Sequence, residues 1–195
     1  ASMGEGYGPI IVAKSEMAPE EIRNGPLAVP GKLTTASLLL QLAVGKVQAQ
    51  VMPFDKILDA VKEGRVASGV LIHEGQITYQ KHELKKVLDL GEWWKKETGL
   101  PVPLGVNVVR TDLGADYAKR LARIFKQSLD YAFANRPEAL AYAQRYGRGL
   151  DSALTDRFVG MYVNRWSLDC RGDGAKAMQL LLDRAAEAGL TPKKV

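Results

Sequence analysis

The apolar positions of this chain follow two regimes. Up to about residue 110 they come as short runs cut by Gly and Pro, and beyond it they recur at helical spacing. Tyr7–Ala13 predicts a short strand. Lys14–Pro26 is polar and punctuated by Pro19, Gly25 and Pro26, with room for one helical turn at Pro19-Glu20-Glu21. Leu27–Val29 predicts a buried strand that ends on the turn signal Pro30-Gly31. Thr34 and Thr35 then stand where an N-cap belongs, ahead of a helix with Leu38 above Leu42 and Leu39 above Ala43. Val47–Met52 predicts the next strand, stopped by Pro53. Asp55–Glu63 follows as a helix with Ile57, Leu58 and Val61 on one face and Gly64 as its stop. Gly69–Ile72 is again a strand, and it delivers His73-Glu74-Gly75.

From residue 27 the order is therefore strand, helix, strand, helix, strand, the rhythm of a parallel sheet with helical crossovers. Lys85–Leu90 predicts another strand and Glu92–Thr98 a short helix ended by Gly99. Leu100-Pro101-Val102-Pro103 reads as a stiff extended connection, and Leu104–Val109 as strand-like. After Thr111-Asp112 the pattern is helical. Tyr117, Leu121, Ile124, Phe125, Leu129 and Ala132 mark one face of a long helix closed by Asn135. Further helices are predicted at Pro137–Tyr146, around Leu154, Phe158, Met161 and Tyr162, and over Asp173–Ala188.

Composition changes this picture little. The 195 residues are 46% apolar and 25% charged, enough for a sizeable core, and no apolar run reaches the length of a membrane span. The net charge of +5 is scattered, with no aromatic side chains interleaved in a basic stripe. It gives nucleic acid binding no support and suits a small anionic ligand. Cys170 is the single cysteine, which excludes an internal disulfide and a multi-cysteine zinc site. No His-x-Glu-x-x-His spacing supports a catalytic zinc, and neither a P-loop nor a Gly-x-Ser-x-Gly elbow occurs. Gly4-Glu-Gly-Tyr-Gly8 precedes a strand instead of following one, so it is not a dinucleotide fingerprint. A lone cysteine points to the cytoplasm as compartment.

The candidate chemistry gathers at strand ends. Ligands on open α/β sheets bind outside the carboxyl ends of the strands. If the runs ending at Val29 and Ile72 are parallel neighbours, Thr34, Thr35 and His73 face one crevice. The first N–H groups of a helix lack intrahelical partners and favour a carboxylate or phosphate. An imidazole, with its ordinary pKa near neutrality, suits a general base there. A plain Thr-capped helix and a hydrogen-bonded structural His account for the same residues. Of Trp93 and Trp94, at most one faces the core.

These stretches resemble a known family. Gly4–Pro9, Val29–Ala36, Leu71-Ile-His-Glu74, Asp89-Leu-Gly-Glu-Trp-Trp94, Thr98–Gly105 and Tyr162–Asp169 are similar to 1,4-dihydroxy-6-naphthoate synthase of the futalosine route to menaquinone. The resemblance implies a periplasmic-binding-protein-like type II fold of two α/β lobes with a cleft. It implies a lyase without metal or cofactor, splitting cyclic dehypoxanthinyl futalosine into 1,4-dihydroxy-6-naphthoate and dihydroxyacetone. By position His73 matches the family's proton-abstracting base, and Thr35 with Ala36 a substrate-binding pair; Thr34 and Leu33 adjoin it. The resemblance assigns no firm role to Glu74, Asn164, Ser167 or Asp169.

The family's first lobe begins with a segment that this sequence lacks. In this reading residues 11–105 form the complete second lobe. Residues 1–10 and 106–195 supply crossing strands, Ile10–Ala13 and Val106–Arg110, and the helical end of an incomplete first lobe. The helices after Asp112, with Leu121, Phe125, Phe158, Leu180 and Leu181, then need a covering layer. The expectation is that the missing segment accompanies the chain as a separate polypeptide; assembly of like chains stays open. A solute-binding protein for a small carboxylate and a chorismate dehydratase-like enzyme are the alternatives.

Overall fold

The computed structural model describes residues 1–147 and 149–191. In chain order the elements are β1 (Ser2–Gly4), β2 (Ile10–Ala13), β3 (Pro26–Val29), α1 (Thr35–Val44), β4 (Gln48–Val51), α2 (Phe54–Lys62), β5 (Ser68–Leu71) and α3 (Gly75–Thr78). There follow β6 (Lys85–Asp89), α4 (Leu90–Thr98), β7 (Val102–Gly105), α5 (Ala115–Ala134), α6 (Arg136–Gln144), α7 (Ser152–Tyr162), α8 (Arg165–Leu168) and α9 (Asp173–Glu187). The described residues form two compact units: a larger one of residues 4–104 and 171–191, and a smaller one of residues 1–3, 105–147 and 149–170.

The larger unit is built on a five-stranded sheet in the order β4-β3-β5-β2-β6. β3 runs parallel to β4, with Pro26 opposite Gln48 and Val29 opposite Val51, and parallel to β5, with Leu27 opposite Ser68. This is the parallel block that the strand–helix rhythm predicts. β2 lies antiparallel between β5 and β6. Successive side chains of a strand point to opposite faces, and both faces of the inner strands β3, β5 and β2 are covered, whereas all four residues of the edge strand β4 are exposed. Ile11, Leu27, Val29 and Val70 pack with Leu39, Leu40, Trp94 and Leu181 on one side. Ile10, Val12, Ala28 and Leu71 pack with Ile57, Ala60 and Val61 of α2 on the other. Fully burying each Val, Leu or Ile among them is worth about 1.5–3 kcal/mol, so these two clusters hold the unit. Gly69 sits where α2 crosses: a Cβ there would stand 2.5 Å from Ile57 Cγ2.

Three expectations are corrected. Ile10–Ala13 is an inner strand of the sheet, not a crossing strand, because all four of its residues are buried and bonded on both sides. Val106–Arg110 forms no strand; the strand is β7, which takes in Val102-Pro103. The chain passes between the units within β1, within β7 and after Cys170. α9 belongs with the larger unit, since Ala177, Leu181 and Ala185, four residues apart, form a buried stripe and α9 meets α1. Residues 106–195 are thus not one piece.

In the smaller unit the helices reach no deep core. No residue of α5, α6 or α8 is buried, and in α7 only Thr155 is. Its helices carry exposed or half-exposed ion pairs, Lys126 with Asp130 at 2.8 Å and Arg136 with Asp156.

Candidate functional site

Three neighbouring parallel strands, β4, β3 and β5, end at the same edge of the sheet. Past these ends Phe54 opens α2, Thr34 caps α1, and His73 follows β5.

At the β3 end the chain turns through Pro30–Leu33. The Thr34 side chain accepts from the Ser37 N–H at 3.2 Å and donates to the Gly31 carbonyl at 2.8 Å. The buried Ser37 hydroxyl donates to the same carbonyl at 2.6 Å. The Thr34 oxygen is therefore occupied as the cap that the sequence predicts. Thr35 is half-buried, and its hydroxyl has only a 3.5 Å approach to the Leu104 carbonyl, the outer limit of a hydrogen bond. The N–H groups of Thr35 and Ala36 find no acceptor among the described residues, as expected of the first turn of a helix. Leu33, beside them, is wholly exposed.

At the β5 end His73 adopts φ +55°, a left-handed backbone uncommon for a side-chain-bearing residue. This turns the chain sharply out of the strand and into α3, where Gln76 N–H bonds the His73 carbonyl at 3.1 Å. The imidazole is exposed and lies against the Phe54 ring, 4.7 Å between centroids at a 54° tilt. Glu74 is half-buried at the start of α3, and its carbonyl takes the Thr78 hydroxyl at 2.9 Å.

Behind His73, α3 is anchored. The buried Gln76 side chain donates to the Gly8 carbonyl at 2.6 Å. The Gly4–Gly8 loop is itself pressed on α4: a Cβ on Gly91 would lie 2.0 Å from the Tyr7 carbonyl carbon. A Cβ on Gly8 would stand 2.8 Å from the Gly91 nitrogen and one on Gly4 2.1 Å from the Tyr7 carbonyl oxygen, while Gly6 takes a left-handed φ of +75°, so the glycine-rich spelling follows from close backbone approach and one turn. Asp89, buried, caps α4 by accepting from Gly91 N–H at 2.8 Å and Glu92 N–H at 3.1 Å. Burial pushes its carboxyl above the usual carboxylate range, against the pull of those two bonds. Trp94 is fully buried and its indole N–H donates to the Pro101 carbonyl at 3.0 Å; Trp93 is half-buried.

Thr34, Thr35, Ala36 and His73 thus come from adjacent strand ends, while Phe54 and Gln76 escaped sequence reasoning. Phe54 carried one available signal, its place just after β4 and Pro53. Asn164 and Ser167, in the smaller unit, cap each other across α8, and the Asn164 amide donates to the Met3 carbonyl at 3.0 Å. No three His, Cys, Asp or Glu side chains among the described residues gather as a metal site, and no described helix is long and apolar enough to cross a membrane.

The 1,4-dihydroxy-6-naphthoate synthase of Streptomyces coelicolor is 37% identical over 98% of this chain and 69% of its own length. That of Thermus thermophilus is 40% identical over 97% of this chain, again 69% of its own length. A crystal structure from Archaeoglobus fulgidus is 44% identical, with a TM-score of 0.93 over 98% of this chain and 71% of that one. The ligand-binding component of an ABC-type import system from Staphylococcus aureus, 14% identical over 97% of this chain and 66% of that one, has a TM-score of 0.66. This likeness shows the type II periplasmic-binding-protein-like fold. The family profile described as menaquinone biosynthesis matches residues 1–187, and its named relatives are enzymes. This chain belongs to that menaquinone biosynthesis family.

Proposed function

We propose that this chain carries the base and one anion-binding edge of a lyase that cleaves cyclic dehypoxanthinyl futalosine to 1,4-dihydroxy-6-naphthoate and dihydroxyacetone. The observation that carries the reading is His73 itself. It is exposed, held in a left-handed turn at a strand's carboxyl end, and placed against Phe54. A left-handed backbone at a bulky residue costs on the order of 1–3 kcal/mol and is sustained where the surroundings over-determine it. Gln76 and the Gly4–Gly8 loop supply that support. The His73 imidazole takes the substrate proton that starts the carbon–carbon cleavage. The unpaired N–H groups of Thr35 and Ala36, with the Thr35 hydroxyl, receive a substrate oxygen at the positive end of α1. Phe54 restricts the imidazole to the orientations that face the substrate.

The test is turnover with cyclic dehypoxanthinyl futalosine, followed by mass-spectrometric detection of the naphthoate. His73→Ala is expected to lower it by roughly 10²–10⁴-fold, the usual contribution of a positioned general base. A variant that turns over like the parent, or that fails to fold, removes His73 from the role. Calorimetric binding of a small carboxylate with no naphthoate formed would favour the solute-binding alternative, which the fold alone supports.

A further inference from the structure

Apart from the crevice, the larger unit carries a groove of about 330 Å³ between α1 and the edge strand β4. None of Thr34, Thr35, Ala36, Phe54 and His73 lines it. Its floor is apolar, formed by Val29, Leu40, Val47 and Ala49. Its charged groups are Lys32 and Lys46, and no carboxylate lines it. Both lysines are exposed and make no ion pair among the described residues. Lys32 follows the carboxyl end of β3, whereas Lys46 precedes the amino end of β4. Because β3 and β4 run parallel, the two lysines stand at opposite ends of the groove. Gln41 lines the α1 wall. Its side-chain N–H donates to the Ser37 carbonyl at 3.2 Å, which leaves Oε1 as an acceptor with no donor among the described residues.

This make-up selects a ligand by its chemistry. Small-molecule sites run from about 300 to 1,000 Å³ and pair an apolar lining with a few placed polar groups. A lysine without a partner is a point charge for a carboxylate, and an amide oxygen without a donor takes a hydroxyl. Polar groups at both ends of an apolar floor call for a flat bicyclic body, with a carboxylate on one ring and hydroxyls on the other. We propose that the groove binds the aromatic product, 1,4-dihydroxy-6-naphthoate, separately from the crevice, with its carboxylate on Lys32 and its ring hydroxyls at Gln41 Oε1 and Lys46. The choice of naphthoate rests on the proposed function; the chemistry of the groove does not. The Gly31 carbonyl accepts both the Thr34 and the Ser37 hydroxyl, so the turn that carries Lys32 also caps α1 at the crevice. Occupancy of the groove is coupled to the crevice through that one turn.

The probe is 1,4-dihydroxy-6-naphthoate itself, titrated without oxygen into the 195-residue chain. Calorimetry is expected to give a saturable site, and amide exchange at Ser37 and over residues 46–51 to slow at least threefold. Lys32→Ala is expected to weaken the naphthoate at least tenfold, but 1,4-naphthalenediol, which lacks the carboxylate, less than twofold. Gln41→Leu weakens both ligands at least threefold. Ala49→Glu, on a strand whose four residues are all exposed, sets a carboxylate in the groove and removes the site without touching the core. Thr35→Val and His73→Ala leave the affinity of the site within twofold of the parent. Absence of saturable binding overturns the proposal. So does binding that Ala49→Glu spares, or that Thr35→Val and His73→Ala remove, since the naphthoate then lies in the crevice. Turnover separates this proposal from the proposed function: a chain that binds naphthoate in the groove but never forms it from cyclic dehypoxanthinyl futalosine keeps the groove and loses the lyase.

Discussion

The two units share an alphabet of amphipathic helices but differ in what those helices meet. α1 and α2 of the larger unit press Leu39, Leu40, Ile57 and Val61 onto opposite faces of one sheet, and each of these is at most 1% exposed. α5 of the smaller unit is twice as long as α1 and has a clear apolar stripe, yet none of its residues is buried. Helical periodicity therefore declares which face seeks a core, whereas burial depends on a partner layer being there. Most helical stability in proteins comes from such packing, not from propensity. The candidate site follows the same division. His73, Phe54, Thr34 and Thr35 sit on the unit whose inner strands are covered on both faces.

The sharpest way to break this comparison is to remove a core anchor. Trp94→Ala is expected to cost about 3–5 kcal/mol, from lost burial and a cavity, and it also strips the Pro101 carbonyl of its donor. Denaturant unfolding read at the larger unit's amides by hydrogen exchange measures it; a loss of less than about 1 kcal/mol, the size of an ordinary point substitution, would mean that unit is not held by its core.

A middle-sized effect belongs to the α4 cap. Asp89→Ala is expected to cost about 0.5–2 kcal/mol, the worth of an N-cap. Because burial raises the Asp89 carboxyl, the folded state holds its proton more tightly than the unfolded chain. Its contribution therefore falls as pH rises from the ordinary carboxylate value of 3.8 through the higher native value, and the loss is complete above that. Asp89→Asn keeps an acceptor without the charge, so its stability should stay close to the parent at neutral pH and lose this slope. A titration of stability against pH that leaves the slope intact assigns it to another group.

The smallest effects are expected in the smaller unit. Leu121→Ala should shift stability by no more than about 0.5 kcal/mol in the chain alone, as for a surface position. Lys126→Ala, which breaks the exposed pair with Asp130, should cost about 0.3–0.5 kcal/mol and less at high salt. Thermal unfolding at two salt concentrations checks both, and a loss of about 2 kcal/mol at Leu121, the scale of a buried leucine truncation, would show that α5 is packed in solution.

What the sequence determined by itself is local. The parallel rhythm from β3 to β5, the Thr34 cap, the stops at Gly64 and Gly99 and the long helix ended by Asn135 all follow from apolar spacing and turn chemistry. Family membership was legible too, because six separated stretches spell it in order. Tertiary structure alone decided what depends on distant partners. β2 looks like any short apolar run, and only pairing with β5 and β6 makes it an inner strand antiparallel to both. α9 carries the same kind of stripe as α5, but its Ala177, Leu181 and Ala185 find the larger unit's core, whereas the α5 residues stay exposed. Phe54 reaches His73 across 19 positions of sequence because β4 and β5 flank β3, and Gln76 reaches Gly8 across 68. The reason is physical: backbone periodicity is set by neighbours a few bonds away, whereas burial and side-chain orientation are set by whichever segment arrives from elsewhere in the chain.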